Sequence, residues 1–209
     1  MGSFSVRQGV SCLPIHLQKG ITMQRVCSST VAAFLLVALL PLFLVISIAV
    51  KCGSSGPVIF RQTRIGYQGR PFTIFKFRTM YHGSGNPFEI IRSGDARVTR
   101  IGRWLREAHL DELLQLWNIV RGDMRFVGPR PMPRELTRCY IAMYPGFEQR
   151  FLVHPGLTGP QQILGREWLR DNMEKSIGYE IAYVWRRDLV LDAYILWRTL
   201  GAVFGRQGV

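Results

Sequence analysis

Two adjacent acids, Asp111 and Glu112, lie in a stretch crowded with guanidinium groups. Residues 99–138 hold Arg100, Arg103, Arg106, Arg121, Arg125, Arg130, Arg134 and Arg138, and no Lys. Neighbouring residues of a helix point about 100° apart, so such a pair cannot grip one atom from mid-helix. At a helix N-terminus both side chains address the space beyond the end, where free N–H groups also attract phosphate. The ordinary reading is that acids favour a first helical turn through its dipole. The surroundings point further. Arg106 lies five residues before Asp111, and Arg130 sits between Pro129 and Pro131, which restrict its backbone. A carboxylate pair among fixed guanidiniums suits phosphoryl chemistry: the acid acts as nucleophile or metal ligand, and Arg neutralises phosphate charge. Mg²⁺ is the natural metal, since it pairs one or two carboxylates with substrate phosphates. No GxxxxGK[ST], HExxH or GxSxG occurs, which removes the common nucleotide-hydrolase and protease sites. Of His16, His82, His109 and His154, only His109 is near the acids, where a cap or surface role is the usual one.

The elements that must position these residues follow from periodicity. PVIFRQTRIG and RPFTIFKFRTM alternate apolar with polar or basic residues around the Gly66–Gly69 turn, which predicts a β-hairpin. Residues 82–97 are polar and loop-like. Ile101, Trp104, Leu105, Leu110, Leu113, Leu114 and Trp117 recur at helical spacing, which predicts one helix ended by Gly122. VGPRPMP is extended and proline-locked. Residues 134–152 pattern as helix, HPGLTGP as a turn cluster, and Asp188 to Phe204 as a last, largely apolar helix suited to a core or a membrane interface.

Val26 to Val50 contains no Asp, Glu, Lys or Arg. As one straight helix, the apolar run Val31–Val50 would be about 30 Å long, enough for a bilayer core. Pro41 interrupts it, and cations flank both ends: Lys19 and Arg25 before, Lys51, Arg61 and Arg64 after. Cytoplasmic flanks collect Lys and Arg, so both ends have cytoplasmic character. A helix–break–helix that enters one leaflet and returns satisfies both observations. A proline-kinked spanning helix is the alternative.

The whole chain is 209 residues, 47% hydrophobic, with net charge +13. That apolar fraction builds a core and excludes a disordered polymer. The 23 Arg against four Lys imply a polyanionic partner: nucleic acid, an anionic membrane or a phosphorylated substrate. Cys12, Cys27, Cys52 and Cys139 lack metal or disulfide spacing and are expected as reduced thiols. No basic recognition helix or RNA-binding signature is present, which leaves a membrane-anchored nucleic-acid module with charge alone in its favour.

Three stretches resemble the bacterial sugar transferases, the monotopic phosphoglycosyl transferases that start glycan assembly on polyprenol phosphate. They are GPVIFRQTRIGYQGRPFTIFKFRTM (56–80), TRIGRWLREAHLDELLQLWNIVRGDMRFVGPRP (99–131) and HPGLTGPQQILGR (154–166). The resemblance implies an α+β, mainly α-helical fold with an N-terminal re-entrant membrane helix-break-helix, a small β-hairpin, and amphipathic interfacial helices around a cytosolic active site. The expected division is an extension over 1–22, the re-entrant segment over 23–52 with its break at Leu40-Pro41, and a catalytic domain over 53–209. The chain would lie in the bacterial inner membrane with its site facing the cytoplasm.

The family acid dyad falls on Asp111 and Glu112, which would also hold Mg²⁺. Arg106, Arg130 and Arg166 match phosphate-binding positions. The implied reaction moves a sugar-1-phosphate from a UDP-sugar to undecaprenyl phosphate through a phosphosugar-aspartyl intermediate, releasing UMP. It would initiate an exopolysaccharide, capsule, O-antigen or glycoprotein glycan. Anionic lipid headgroups, downstream glycosyltransferases and a second copy of the chain are the candidate partners; nucleic acid is not. A non-catalytic scaffold of the same fold is the rival. The chain departs from the family at Gln24, Arg25 and Ser28, where a basic pair and an Asp are usual, at Pro160 in place of Trp, and at Glu180 in place of Asp.

Overall fold

The computed structural model describes residues 15–84, 95–164, 168 and 171–204, with side chains within 25–201. Its apolar N-terminal run folds as two helices, α1 (Ile15–Ala38) and α2 (Leu40–Gly53). They are bent by 61° at Leu39. Pro41 lies in the first turn of α2, where a missing N–H is harmless, so the interruption falls just ahead of Leu40-Pro41. No single described helix is long and apolar enough to cross a membrane, but this bent pair passes that test together. Helix α1 begins inside the segment expected as an extension. Ser47 Oγ donates to the Phe43 carbonyl at 2.6 Å and Thr30 Oγ1 to that of Val26 at 2.9 Å, one turn back in each case, while Ser29 Oγ donates to the Ile119 carbonyl at 3.1 Å.

The predicted hairpin is present as antiparallel β1 (Ile59–Ile65) and β2 (Pro71–Phe77), joined by a turn in which Gln68 and Gly69 have positive φ. Helix α3 (Arg100–Glu107) is capped by the Thr99 hydroxyl, which accepts from Gly102 N–H at 2.8 Å. The single helix expected from Ile101 to Gly122 is instead broken. His109 adopts the left-handed region at φ 55°, a 3₁₀ turn spans Leu110–Glu112, and α4 runs over Gln115–Arg121. The apolar spacing is kept across the break because both halves face the same core, so periodicity alone could not show it. Gly122 ends α4 at φ 85°, as expected.

The turn cluster at 154–160 holds a strand. Two short parallel strands, β3 (Arg125–Val127) and β4 (Gly156–Thr158), pair through Arg125–Gly156 and Val127–Thr158. Gly156 is required by close approach: a Cβ there would stand 2.1 Å from the Gly128 nitrogen. Helix α5 (Arg134–Met143) stops earlier than the sequence pattern suggests and is followed by a 3₁₀ segment over Phe147–Leu152. Helices α6 (Met173–Arg186) and α7 (Leu189–Phe204) complete the chain.

The core sits where the bent pair meets the rest. Ala32 of α1 packs with Ile74, Leu116, Ile119 and Met124, and Phe43, Ile46 and Val50 of α2 pack with Phe77 and Leu105. Their outward faces stay apolar and exposed, with Phe34 at 73% and Leu44 at 63%. Buried Arg78 ties the end of α2 to the strand β2, donating to the carbonyls of Val50, Ser54 and Ser55. Asn118 does the same for α4: its Nδ2 donates to the Thr73 carbonyl at 2.7 Å and its Oδ1 accepts from Phe75 N–H at 3.3 Å. Because Asn118 is fully buried, Asn118→Leu leaves two backbone groups of β2 unsatisfied. That change is expected to cost about 2–4 kcal/mol, read as a fall in the thermal midpoint of the detergent-solubilised chain, whereas exposed Trp117→Leu on the same helix should leave the midpoint nearly unmoved.

Candidate active site

The break at His109 decides where the acids go. Asp111 turns inward and is 9% exposed, while Glu112, on the same 3₁₀ turn, faces β2 and the 129–131 segment. Lys76 Nζ donates to Glu112 Oε1 at 2.6 Å, and Arg130 Nη2 donates to the same oxygen at 2.8 Å. Burial alone would raise the Glu112 carboxyl; the Arg130 and Lys76 charges, with the hydrogen bonds they donate, outweigh it and hold the group ionised below the usual carboxylate range. Asp111 behaves oppositely. Burial, then the neighbouring Glu112 charge, pushes it up to about 6, against the pull of Lys76, Arg106 and Arg130. Two side-by-side carboxylates thus carry different tasks: one is fixed as an anion, and the other is high in energy when charged.

Arg106 reaches this cluster from α3, its Nε donating to Thr79 Oγ1 at 2.8 Å and its charge felt by Asp111. Arg130 is at the centre of it. Arg166 lies outside the described residues. Leu40 and Pro41 are far along the chain from the acids, in the bent pair that supports β2 and α3. An open cleft beside the acids is lined by Arg64, Lys76, Gln115, Arg130, Pro131 and Gly156. His109 occupies the left-handed break itself, at the position before the 3₁₀ turn, and its side chain makes no capping hydrogen bond there.

Two residues of the site, Lys76 and Arg150, were not singled out from sequence, and Glu180 entered only as a departure from the family's usual Asp. Lys76 shares a β2 face with buried Ile74, and a cation within the run FTIFKF was the available signal. Arg150 and Glu180 form an ion pair at 3.0 Å, 4% and 1% exposed. They hold the backbone of Arg130 from both sides: Glu180 Oε1 accepts from its N–H at 3.1 Å, and Arg150 Nη2 donates to its carbonyl at 2.5 Å. Nothing in the local sequence announces that pair, because its members come from the 147–152 segment and α6.

The geometry agrees with what comparison with known proteins finds. The family described as bacterial sugar transferase matches residues 19–206. The chain is 41% identical over 181 residues to a UDP-glucose:undecaprenyl-phosphate glucose-1-phosphate transferase of Caulobacter vibrioides, covering 85% of this chain and 68% of the relative. It is 39% identical over 201 residues to a transferase of the same name from Klebsiella pneumoniae, covering 92% of this chain and 43% of that one. An uncharacterized sugar transferase of Bacillus subtilis is 36% identical over 190 residues, with 90% of both chains covered.

The buried clamp on Arg130 can be tested by stability. Glu180→Leu strands the Arg150 charge and is expected to cost about 3–5 kcal/mol. Adding Arg150→Met removes the orphaned cation and should recover part of the lost thermal midpoint. A double variant no more stable than the single one would show that the pair's charges are not what the site depends on.

Proposed function

The chain belongs to the bacterial sugar transferase family, and from that premise we propose that it transfers a sugar-1-phosphate from a UDP-sugar to undecaprenyl phosphate, releasing UMP. The observation that carries this reading is the division of labour in the dyad: Glu112 pinned by Lys76 and Arg130, and Asp111 beside it with no hydrogen bond among the described residues. An oxygen of Asp111 attacks the sugar-bearing phosphorus of the diphosphate. The new P–O bond to Asp111 forms as the P–O bond to UMP breaks, and UMP leaves with that electron pair. An oxygen of the lipid phosphate then attacks the same phosphorus, the bond to Asp111 breaks, and the carboxylate is regenerated. Covalent catalysis lets two phosphate substrates use one site in turn. Arg130, Arg106 and Arg64 supply positive charge along the path of the diphosphate. Initiation of a surface glycan is the process such a product would feed.

The donor set also suits Mg²⁺. Among the described residues no cluster of three or more His, Cys, Asp or Glu is placed to hold a metal. Mg²⁺ needs only one or two carboxylates when substrate phosphate completes its shell. Lys76 and Arg130 both converge on Oε1 of Glu112, and Glu112 and Asp111 would be the residues to hold the ion. When bound, it would neutralise diphosphate charge.

A membrane position follows from the same reading. From Val31 to Val50 the bent pair is apolar nearly all round, with one face on the core and the other exposed. A re-entrant course of the bent pair would set the acids at headgroup height, in reach of a lipid phosphate and a soluble nucleotide sugar.

The direct test is UMP release in detergent with Mg²⁺, a panel of UDP-sugars and undecaprenyl phosphate. Asp111→Asn is expected to lose activity by about a thousandfold or more, and a stalled parent should carry a phosphosugar on the peptide containing residue 111. Unchanged release by Asp111→Asn would end the nucleophile assignment. Topology is read with exposed Cys27 and Cys52 as the labelling sites, in a chain with Cys12 and Cys139 replaced by Ser. Both should react from the cytoplasmic side only; reaction from opposite sides would show a spanning helix.

A further inference from the structure

Most inward-facing cations among the described residues hold a carboxylate or several carbonyls, whereas the Arg125 side chain holds a single carbonyl. Arg78 holds carbonyls of the α2 end, Arg150 holds Glu180, and Lys76 and Arg130 hold Glu112. Arg125, at the start of β3, is 8% exposed. Its Nη1 donates to the Met124 carbonyl at 3.0 Å, and its Nη2 is buried with no hydrogen-bond partner. The charges that act on it are cations: Arg25, then Arg187. The Arg25 guanidinium lies against Gly122, where an added Cβ would stand 2.8 Å from its Nη2. His154, one residue from the Pro155 carbonyl that accepts from Arg125 N–H, feels the same three guanidiniums and is kept neutral, by burial first and then by their charge. No carboxylate precedes Glu89 in the chain, so the N-terminal segment brings none to this corner. A buried guanidinium with an idle N–H group, next to further cations, is a costly arrangement unless an anion completes it.

We propose that Arg125 and Arg25, with Arg187 nearby, form a second phosphate-binding site, separate from the Asp111–Glu112 centre, and that it takes the headgroup of an anionic phospholipid. The choice of a lipid comes from what adjoins the cations. Arg25 directly precedes Val26, which is 60% exposed, and Arg187 comes two and three residues before Leu189 and Val190, 70% and 78% exposed. A phosphate attached to an acyl tail matches a cationic cluster flanked by apolar surface; a free phosphate matches only the cations. Because Nη2 is buried without a partner, binding would draw the Arg125 fork outward against the phosphate, a two-point contact that Lys cannot copy. The proposal rests on the membrane reading above for its occupant, and on the charge geometry alone for its anion preference.

The full chain in nonionic detergent is titrated with dihexanoyl phosphatidylglycerol, dihexanoyl phosphatidylcholine or inorganic phosphate, and the thermal midpoint is followed. Phosphatidylglycerol should raise the midpoint saturably, and the other two should not. Arg125→Gln should weaken the apparent affinity at least tenfold while its UMP release stays near the parent value. Arg125→Lys, which keeps the charge and the fold, should recover only part of the affinity, and Arg25→Gln should weaken it less than Arg125→Gln. An equal response to phosphatidylcholine, or an unchanged response in both Arg125 variants, overturns the site. A full response to inorganic phosphate overturns the lipid as occupant. A parent that releases UMP without any phosphatidylglycerol response refutes this site and leaves the transferase reading intact; a parent with the lipid response and no UMP release does the reverse.

Discussion

One oxygen atom organises the centre of this molecule. Glu112 Oε1 takes a hydrogen bond from Lys76 on β2 and another from Arg130 in the 129–131 segment. Each of these charges, taken from water alone, would cost several kcal/mol. Together they satisfy one another, but only if the 3₁₀ turn, the hairpin and the proline-locked segment arrive in a single arrangement. The second buried pair extends the constraint outward, since Glu180 and Arg150 grip the N–H and carbonyl of Arg130. The guanidinium at the site is thereby aimed through its own backbone. Flanking prolines reduce the conformations to be fixed, and the clamp selects among those that remain.

This explains why the site was only half legible from the chain. Asp111, Glu112, Arg106 and Arg130 fall within 25 residues, and their types and spacing speak directly of phosphate chemistry. Lys76, Arg150 and Glu180 are brought in by tertiary packing from 20 to 50 residues away from their partners, as the contacts Arg150–Arg130, Lys76–Glu112 and Arg130–Glu180 show with separations of 20, 36 and 50. A buried ion pair leaves little local trace: each member looks like a surface charge until its partner is known. Glu180 was visible only as a departure from the family's usual Asp.

The fold shows the same division. The hairpin, the last helix and the stop at Gly122 follow from alternation, helical spacing and a glycine that tolerates positive φ. Two errors have physical causes. The break at His109 is invisible to periodicity because apolar residues on both sides feed one core, so the 3.6-residue rhythm survives a change of axis. Strand β4 was hidden under turn chemistry. Gly156 is there because another backbone passes within contact distance, and the same residue type would serve a turn. Glycine states that space or an unusual angle is needed; it does not state which.

The unequal treatment of the two acids bears on which of them can react. For Glu112 to attack phosphorus, it would have to give up charge-assisted hydrogen bonds from both Lys76 and Arg130, and an anion stabilised so far below the usual carboxylate range is a weak nucleophile. Asp111 carries the opposite burden. Burial and the adjacent negative charge raise its carboxyl to about 6, so its anion is the less stabilised and the more reactive of the two. That value still leaves it ionised at neutral pH. In the proposed reaction, it would also leave Asp111 a competent leaving group when the second phosphate arrives. A group much more basic would hold the phosphosugar too firmly, and one as stabilised as Glu112 would not take it up. The structure sets that balance by burial and one fixed neighbouring negative charge, opposed by three cations, which is why the two acids must be adjacent and yet face different surroundings.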